Sequence, residues 1–185
     1  MKNGKLVGVI GSRTLPSVYA EQVGDIVEDL IARGYHIASG GAIGTDQFVI
    51  ERLLRIGLSN QCTIYSAWKN FLGFPVVVRA MMQQFKDYGG HIVWGIVSGG
   101  ETRNIVKVGL LLRNQLLIDA SYGLVAFIDS NSRGSIFTIQ KAASKRRTMV
   151  VFPHECELPK IAYIKWVELR CGGCWEGGFK AVYLR

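Results

Sequence analysis

YHIASGGAIGTDQFVIERLLRIG, residues 35–57, is the stretch that decides the fold. Residues 35–38 are predicted to form a short strand and residues 39–46 a glycine-rich turn. The apolar side chains that follow recur at helical spacing as far as Gly57, which ends the helix. The stretch therefore predicts a strand, a turn and a helix in succession.

The same unit is found on both sides of this stretch. Residues 5–10 are predicted as a strand, residues 11–13 as a turn, and the apolar positions between 23 and 31 as one face of a helix. Further strands are predicted at 62–65, 91–94, 123–128 and 149–152, and further helices at 75–88, 101–119 and 135–145. Strands that are apolar throughout and alternate with helices are typical of a parallel sheet covered on both faces. We therefore expect an α/β fold, a Rossmann-like, doubly wound, mostly parallel sheet with helices on both faces.

The length and the end of the chain suggest one domain with a short addition. A chain of 185 residues that is 49% hydrophobic can bury a single core. We expect this domain over residues 1–153. Residues 154–185 are expected to form a short basic C-terminal extension, in which two strand-like runs, 163–169 and 179–184, flank the turn CGGCWEGG. This pattern predicts a β-hairpin packed on the domain or an added sheet edge.

The charge of the chain favours an anionic partner. It has 22 Lys and Arg against 14 Asp and Glu, a net charge of +8, with nine Lys and Arg against four Glu in residues 141–185. Such an excess attracts polyanions and gains affinity from counterion release, although a basic surface kept for solubility gives the same composition. The chain has no uncharged apolar stretch of about 18 residues and no signal-peptide pattern, so we expect a cytoplasmic protein with no membrane partner.

Three predicted strand-to-helix turns have residues suited to binding phosphate. In a doubly wound sheet, ligands bind beyond the carboxyl ends of the strands, where helix N-termini present free amides to anions. We expect the three turns to converge on one rim, although each of them taken alone could be purely structural. Their candidate residues are Gly11, Ser12 and Arg13 in the first turn, Ser39, Gly40, Gly41, Gly44, Thr45 and Asp46 in the second, and Arg133, Gly134, Ser135 and Thr138 in the third.

Each turn offers a different set of groups. The first combines a glycine for close approach, the Ser12 hydroxyl, and the Arg13 guanidinium, which can donate two hydrogen bonds to a phosphate. The glycines of the second can form an amide-lined cradle, with Thr45 or Asp46 capping the helix. The third is expected to open its helix in the same way.

Arg113 and Asn114 are further candidates. Arg113 lies in a leucine-rich helix, where a buried guanidinium must find an anion or several acceptors. The alternative is an internal ion pair with Asp119 or Asp129.

Over roughly residues 5–153 these motifs resemble the DNA-processing protein A (DprA/Smf) group of the SLOG superfamily. The matching residues are Gly11-Ser12-Arg13, Ser39-Gly40 through Gly44 and Asp46, Arg113-Asn114 followed by Ser121, Gly134-Ser135 and Thr138, and Arg147 ahead of Val150-Val151-Phe152-Pro153. Arg133 departs from the family pattern, which usually has a serine before Gly-Ser. At this length we do not expect the helical and winged-helix domains that often flank the family's core.

The resemblance implies a binding protein rather than an enzyme. It implies that the pocket above the sheet binds single-stranded DNA, that the protein forms a homodimer, and that it passes the strand to a recombinase partner. The residues implied to line the pocket are Arg13, Ser39, Gly40, Asp46, Arg113, Asn114 and Ser135. No cofactor is implied.

Two alternatives from the same superfamily remain open. The lonely-guy phosphoribohydrolases, which cleave nucleoside monophosphates, resemble the chain in a glycine-rich turn, but their turn ends in a catalytic glutamate where this chain has Gln140. Asp46 or Asp129 could take the place of that glutamate. The other alternative is a nucleotide-sensing module. The Walker and dinucleotide fingerprints are both missing from the sequence.

A metal site in the extension is a further hypothesis. His154, Cys156, Cys171 and Cys174 form two closely spaced pairs that could hold zinc, against the alternative of reduced thiols in a glycine-rich turn.

Overall fold

The computed structural model describes residues 4–184. Residues 1–3 of the predicted domain and residue 185 of the predicted extension lie outside the described residues. The strands are β1 (Leu6–Gly11), β2 (His36–Ser39), β3 (Cys62–Tyr65), β4 (His91–Val93), β5 (Gly123–Ile128), β6 (Thr148–Pro153), β7 (Ile164–Glu168) and β8 (Phe179–Tyr183). The α-helices are α1 (Ala20–Ala32), α2 (Thr45–Arg55), α3 (Val76–Asp87), α4 (Arg103–Ala120) and α5 (Arg133–Ser144).

The strands form one sheet whose winding reverses in the middle. Their order is β4-β3-β2-β1-β5-β6-β8-β7, and every pair from β4 to β6 is parallel. The chain winds outward from β1 to β4 and then crosses back to place β5 on the other side of β1. The carboxyl ends of β1 and β5 therefore flank the topological switch point, where open α/β sheets bind their ligands.

Helices cover both faces, as the sequence predicted, so the Rossmann-like α/β fold class is confirmed. On one face α1, α2 and α3 pack on the sheet around Ile26, Ile50 and Phe85, and on the other α4 and α5 pack around Leu117 and Ile139. All six residues of β5 are buried, as expected of a central strand covered on both sides. No helix among residues 4–184 is long and apolar enough to cross a membrane.

The C-terminal segment continues the sheet. β7 and β8 form an antiparallel hairpin, and β8 pairs antiparallel with β6 through Val150 and Val151. The Gly173–Trp175 turn docks on α1, where Gln22 Nε2 donates to the Cys174 carbonyl at 3.1 Å and Trp175 Nε1 donates to Asp29 Oδ2 at 2.8 Å. The hairpin therefore extends the sheet edge through backbone hydrogen bonds.

Phe127 provides a test of the central position of β5. Its ring is 1% exposed and stacks on Phe152 with centroids 4.7 Å apart. We expect Phe127→Ala to lower the free energy of unfolding by about 3 to 5 kcal/mol through the cavity it leaves. Val167→Ala, at a position 43% exposed on β7, should change it by less than about 0.5 kcal/mol. Denaturant titration measures both, and equal midpoints would contradict the packing described for β5.

Candidate anion-binding site

A cavity of about 570 Å³ opens at the switch point between β1 and β5. The first and third predicted turns and helix α4 form most of its wall, and the second turn contributes Ala42 and Asp46. The predicted site residues that line it are Gly11, Ser12, Arg13, Asp46, Arg113, Asn114, Arg133, Gly134, Ser135 and Thr138. The structure thus brings residues that are distant in sequence to one cavity.

The other residues predicted from the second turn lie behind the cavity wall. Ser39 is fully buried, and its Oγ has no hydrogen-bond partner among residues 4–184. Gly41 faces the core, because a Cβ there would meet Ile64 and Phe74. These positions support the floor of the cavity and do not line it.

Gly44 and Thr45 join the second turn to the first. Gly44 has φ +78°, and a Cβ there would lie 2.4 Å from the Ser12 carbonyl oxygen, so both the conformation and the close approach require glycine. Thr45 Oγ1 donates to that same carbonyl at 3.2 Å. The prediction that Thr45 or Asp46 caps α2 is wrong, because Gly44 occupies the N-cap position without a side-chain hydrogen bond.

Arg113 and Asp46 form the floor of the cavity. Their side chains are 9% and 7% exposed, and Arg113 Nη1 lies 3.7 Å from Asp46 Oδ2, beyond hydrogen-bond distance. Asp46 Oδ2 accepts a hydrogen bond from the Ala42 amide at 3.1 Å. Arg113 Nε and Asp46 Oδ1 have no hydrogen-bond partner among the described residues. The pair is therefore loose, and part of its hydrogen-bonding capacity is unused.

Burial acts on the protonation of both groups. It raises the pKa of Asp46 above the ordinary range, an effect that the nearby Arg113 charge opposes. It likewise lowers the pKa of Arg113, and here the Asp46 charge opposes the shift. An anion bound beside Arg113 would supply the negative charge that this desolvated cation lacks.

The alternative partners predicted for Arg113 are wrong. Asp119 pairs with Lys145 at 2.6 Å outside the cavity lining, and Asp129 is held by the first and third turns. The actual partner, Asp46, follows a different strand, so its proximity to Arg113 arises from the sheet order.

Asp129 lies behind the wall of the cavity and is saturated with hydrogen bonds. Its Oδ2 accepts from Ser12 Oγ at 2.5 Å and from Thr14 Oγ1 at 2.6 Å, and its Oδ1 accepts from Ser132 Oγ and the Asn131 amide, both at 2.9 Å. Burial acts to raise its pKa, but these bonds prevail and lower the pKa to about 2. The Ser12 hydroxyl that was predicted to face a phosphate therefore donates to Asp129 instead.

The third turn places the N-terminus of α5 at the cavity. Gly134 and Ser135 lie in its first turn, where backbone amides have no helical acceptor. Asn114 Nδ2 approaches the Gly134 carbonyl oxygen at 3.5 Å, and Thr138 Oγ1 donates to the same oxygen at 2.8 Å. These contacts bring α4 and α5 together beside Arg133.

Sequence reasoning missed several lining residues. Lys107, Leu110 and Leu111 line the cavity together with Asn114. Their spacing of three and four residues places them on one helix face, so extending the α4 pattern back from Asn114 would have found them. Thr14, directly after the Gly-Ser-Arg turn, and Asn131 were also missed.

The four candidate zinc ligands are not brought together. His154 Nδ1 lies 2.8 Å from the Tyr19 hydroxyl, Cys156 Sγ donates to the Ile128 carbonyl at 3.6 Å, Cys174 packs against the core, and Cys171 is exposed. Within residues 4–184 no three His, Cys, Asp or Glu side chains are placed to hold a metal ion. The zinc hypothesis is therefore wrong for this arrangement.

Fold and site together define a class: a Rossmann-like α/β protein with a cationic cavity at its topological switch point. A family model described as DNA recombination-mediator protein A matches residues 1–162. The chain belongs to this family, which confirms the resemblance found in its motifs. No curated protein matches the chain at a significant level.

Solved structures share the fold. DNA processing protein A from Helicobacter pylori, described for its single-stranded DNA binding mode, matches with a TM-score of 0.65 and 22% identity over 83% of this chain and 67% of that one. The Streptococcus pneumoniae protein matches with a TM-score of 0.62 and 22% identity, over 81% of this chain and 50% of that one. A molybdenum cofactor binding protein from Rippkaea orientalis matches with a TM-score of 0.59 and 10% identity, over 84% of this chain and 80% of that one. The chain thus spans two thirds and half of the two DNA-processing proteins.

The lowered pKa of Asp129 predicts an acid-sensitive stability. A carboxyl whose folded pKa is depressed stabilises the folded state above its unfolded pKa of about 3.9. That contribution is lost as the pH falls toward about 2. We expect Asp129→Asn to cost about 1 to 2 kcal/mol at pH 7, a range that allows for partial solvent screening, and less at pH 2. Urea titrations across this pH range measure the difference, and an equal cost at both ends would contradict the prediction.

Proposed function

We propose that the chain binds single-stranded DNA, or another phosphate-bearing nucleotide ligand, in the cavity at the carboxyl edge of the sheet, as a binding protein in DNA processing and recombination. The observation that carries this proposal is Arg113, a guanidinium 8% exposed that lines an open cavity and pairs only loosely with Asp46. A desolvated cation with unused donors is stabilised by an anionic acceptor.

The other charges of the cavity support the same ligand class. Arg13, Lys107 and Arg133 line it together with Arg113, and Gly134 and Ser135 of the first turn of α5 line the same space. Phosphate is the anion that such a set of cations and helix amides suits. Ile10, Leu110 and Leu111 provide an apolar wall for the less polar part of a nucleotide.

The family supports the wider role. Its description as a recombination mediator, and the single-stranded DNA that the Helicobacter pylori protein binds, favour DNA over other polyanions. A homodimer, a recombinase partner and a cytoplasmic location are further parts of this proposal, and they rest on the family alone.

The alternative of nucleotide hydrolysis rests on one observation. Asp46 lines the cavity and burial raises its pKa, as a general acid requires. Against it, the glutamate position of the phosphoribohydrolase turn is Gln140, which is exposed and outside the cavity. Asp129, with its pKa near 2, has no proton to give at neutral pH. A nucleotide-sensing module would use the same cavity without chemistry.

Binding should depend steeply on salt. In a plot of log K against log salt concentration, each phosphate of a single strand that a Lys or Arg side chain contacts makes the negative slope steeper by about 0.7. We expect the protein to bind a fluorescein-labelled oligodeoxythymidylate at low salt and to lose affinity along such a line. Fluorescence anisotropy with single-stranded DNA, duplex DNA and nucleoside monophosphates separates the candidate ligands. No binding of any of them at low salt would contradict the proposal.

Removing the Arg113 guanidinium should weaken binding more than folding. We expect Arg113→Ala to cost about 1 to 3 kcal/mol of binding free energy, because charge-assisted hydrogen bonds are lost. Its partner Asp46 can become protonated, since burial already raises its pKa, so the stability of the free protein should change less. Anisotropy and denaturant midpoints on the same preparation test both expectations. A folded variant with unchanged affinity would remove Arg113 from the site.

Gly40→Ala tests whether the position of the Arg113 guanidinium matters for binding. A Cβ at Gly40 would lie 1.5 Å from Arg113 Nη1, so the guanidinium must move and binding should weaken by about the same amount. Gly99→Ala is the matched control, because nothing lies within 4 Å of its added carbon. Equal affinities of the two variants would show that the position of Arg113 does not matter.

Hydrolysis of purine nucleoside monophosphates should be undetectable. The carboxylate that assists base release is replaced by Gln140, and among residues 4–184 Asp46 alone brings a carboxyl to the cavity lining. Incubation followed by chromatography should show no free base above a control without protein. Base release that disappears in Asp46→Asn would establish the hydrolase alternative.

A further inference from the structure

One carboxylate is hydrogen-bonded to both of the turns that carry Arg13 and Arg133, two arginines that line the cavity. Asp129 directly follows β5, and its Oδ2 accepts hydrogen bonds from the Ser12 and Thr14 hydroxyls in the turn after β1. On Oδ1 it receives the Ser132 hydroxyl and the Asn131 amide from its own turn. A single side chain therefore bridges the switch point between β1 and β5.

The residues that donate to Asp129 are sequence neighbours of Arg13 and Arg133. Ser12 and Thr14 are the two sequence neighbours of Arg13. The Thr14 backbone N–H also donates to Ser12 Oγ at 3.0 Å, a bond that spans the backbone of Arg13. Ser132 directly precedes Arg133, at the start of α5. Both arginines line the cavity, so the backbone that aims each of them is fixed by the same carboxylate.

We propose that Asp129 is a positioning residue for anion binding, which holds the turns after β1 and β5 in the arrangement that directs Arg13 and Arg133 at one anion. This inference rests on the proposed function, because it concerns the same cavity. It gives Ser12 and Thr14 a role as donors to Asp129, in place of direct contact with the ligand.

The sign of the effect distinguishes positioning from simple electrostatics. Asp129 is a negative charge close to an anion site, so Coulomb's law alone predicts that Asp129→Asn strengthens anion binding. Positioning predicts the opposite, because Asn keeps only one accepting oxygen and its Nδ2 group is a donor, so the side chain can accept from one of the two turns but not from both. A purely structural role predicts lower stability and an unchanged affinity of the folded fraction.

The test compares three variants in anisotropy titrations with labelled oligodeoxythymidylate at several salt concentrations. We expect Asp129→Asn to bind about 10- to 100-fold more weakly, the range for a lost charge-assisted contact. We also expect the salt dependence to become less steep by about 0.7 for each lost phosphate contact, in Asp129→Asn as in Arg13→Ala. Asp119→Asn, which removes a carboxylate that accepts from Gln115 and Lys145 outside the cavity, should bind as the wild type does.

A double-mutant cycle completes the experiment. Ser12→Ala alone should weaken binding, and adding it to Asp129→Asn should have little further effect, since both remove the same bond. Wild-type affinity and slope in Asp129→Asn, or tighter binding, would overturn the positioning role while leaving the proposed function intact. Failure of the wild-type protein to bind any phosphate-bearing probe would overturn the proposed function and the positioning role with it.

Discussion

The burial of Arg113 is the constraint on which the arrangement of the site depends. A guanidinium among leucines must be compensated, and the chain compensates it only partly, with Asp46 at 3.7 Å. A Cβ at Gly40 would lie 1.5 Å from Arg113 Nη1 and 2.8 Å from Asp46 Oδ2, so any side chain there would displace the guanidinium. The glycine-rich turn after β2 is thus shaped by the arginine that lies over it, and the incomplete pairing leaves donors for a ligand.

The reversal of strand order explains why distant residues meet. Because β5 returns to the side of β1 opposite β2, the turns after β1 and β5 become neighbours and can be tied by Asp129. Helix α4 makes the return connection, so its Lys107 and Asn114 face the same gap. The second turn is held to the first by Gly44 and Thr45. The three turns and helix α4 therefore meet at the switch point between β1 and β5.

Most of the fold could be predicted from the sequence, because apolar runs and helical spacing are local signals. The candidate turns were found from residue type and from their position at strand ends; each alone could be structural, and their coincidence at three strand ends made them candidates. What could not be predicted depends on tertiary contacts. The pairing of Arg113 with Asp46 and the donation of the Ser12 hydroxyl to Asp129 both require the strand order. The zinc hypothesis failed for the same reason, because spacing along the chain gives no information on where β6 and the hairpin turn lie.

The hydrogen bonds of the two carboxylates bear on the proposed choice between binding and catalysis. Asp129 keeps its charge, but four donors surround that charge, so its field at the ligand is reduced by the dipoles that point at it. Burial raises the pKa of Asp46 and so favours its neutral form. A neutral Asp46 would repel an incoming phosphate less than a charged one. A hydrolase needs a carboxyl whose proton can move to or from the substrate. Here one carboxyl is fixed as an acceptor, and the other accepts the Ala42 amide and pairs only loosely with Arg113. Both environments reduce the cost of holding an anion, which is what a phosphate-binding site requires.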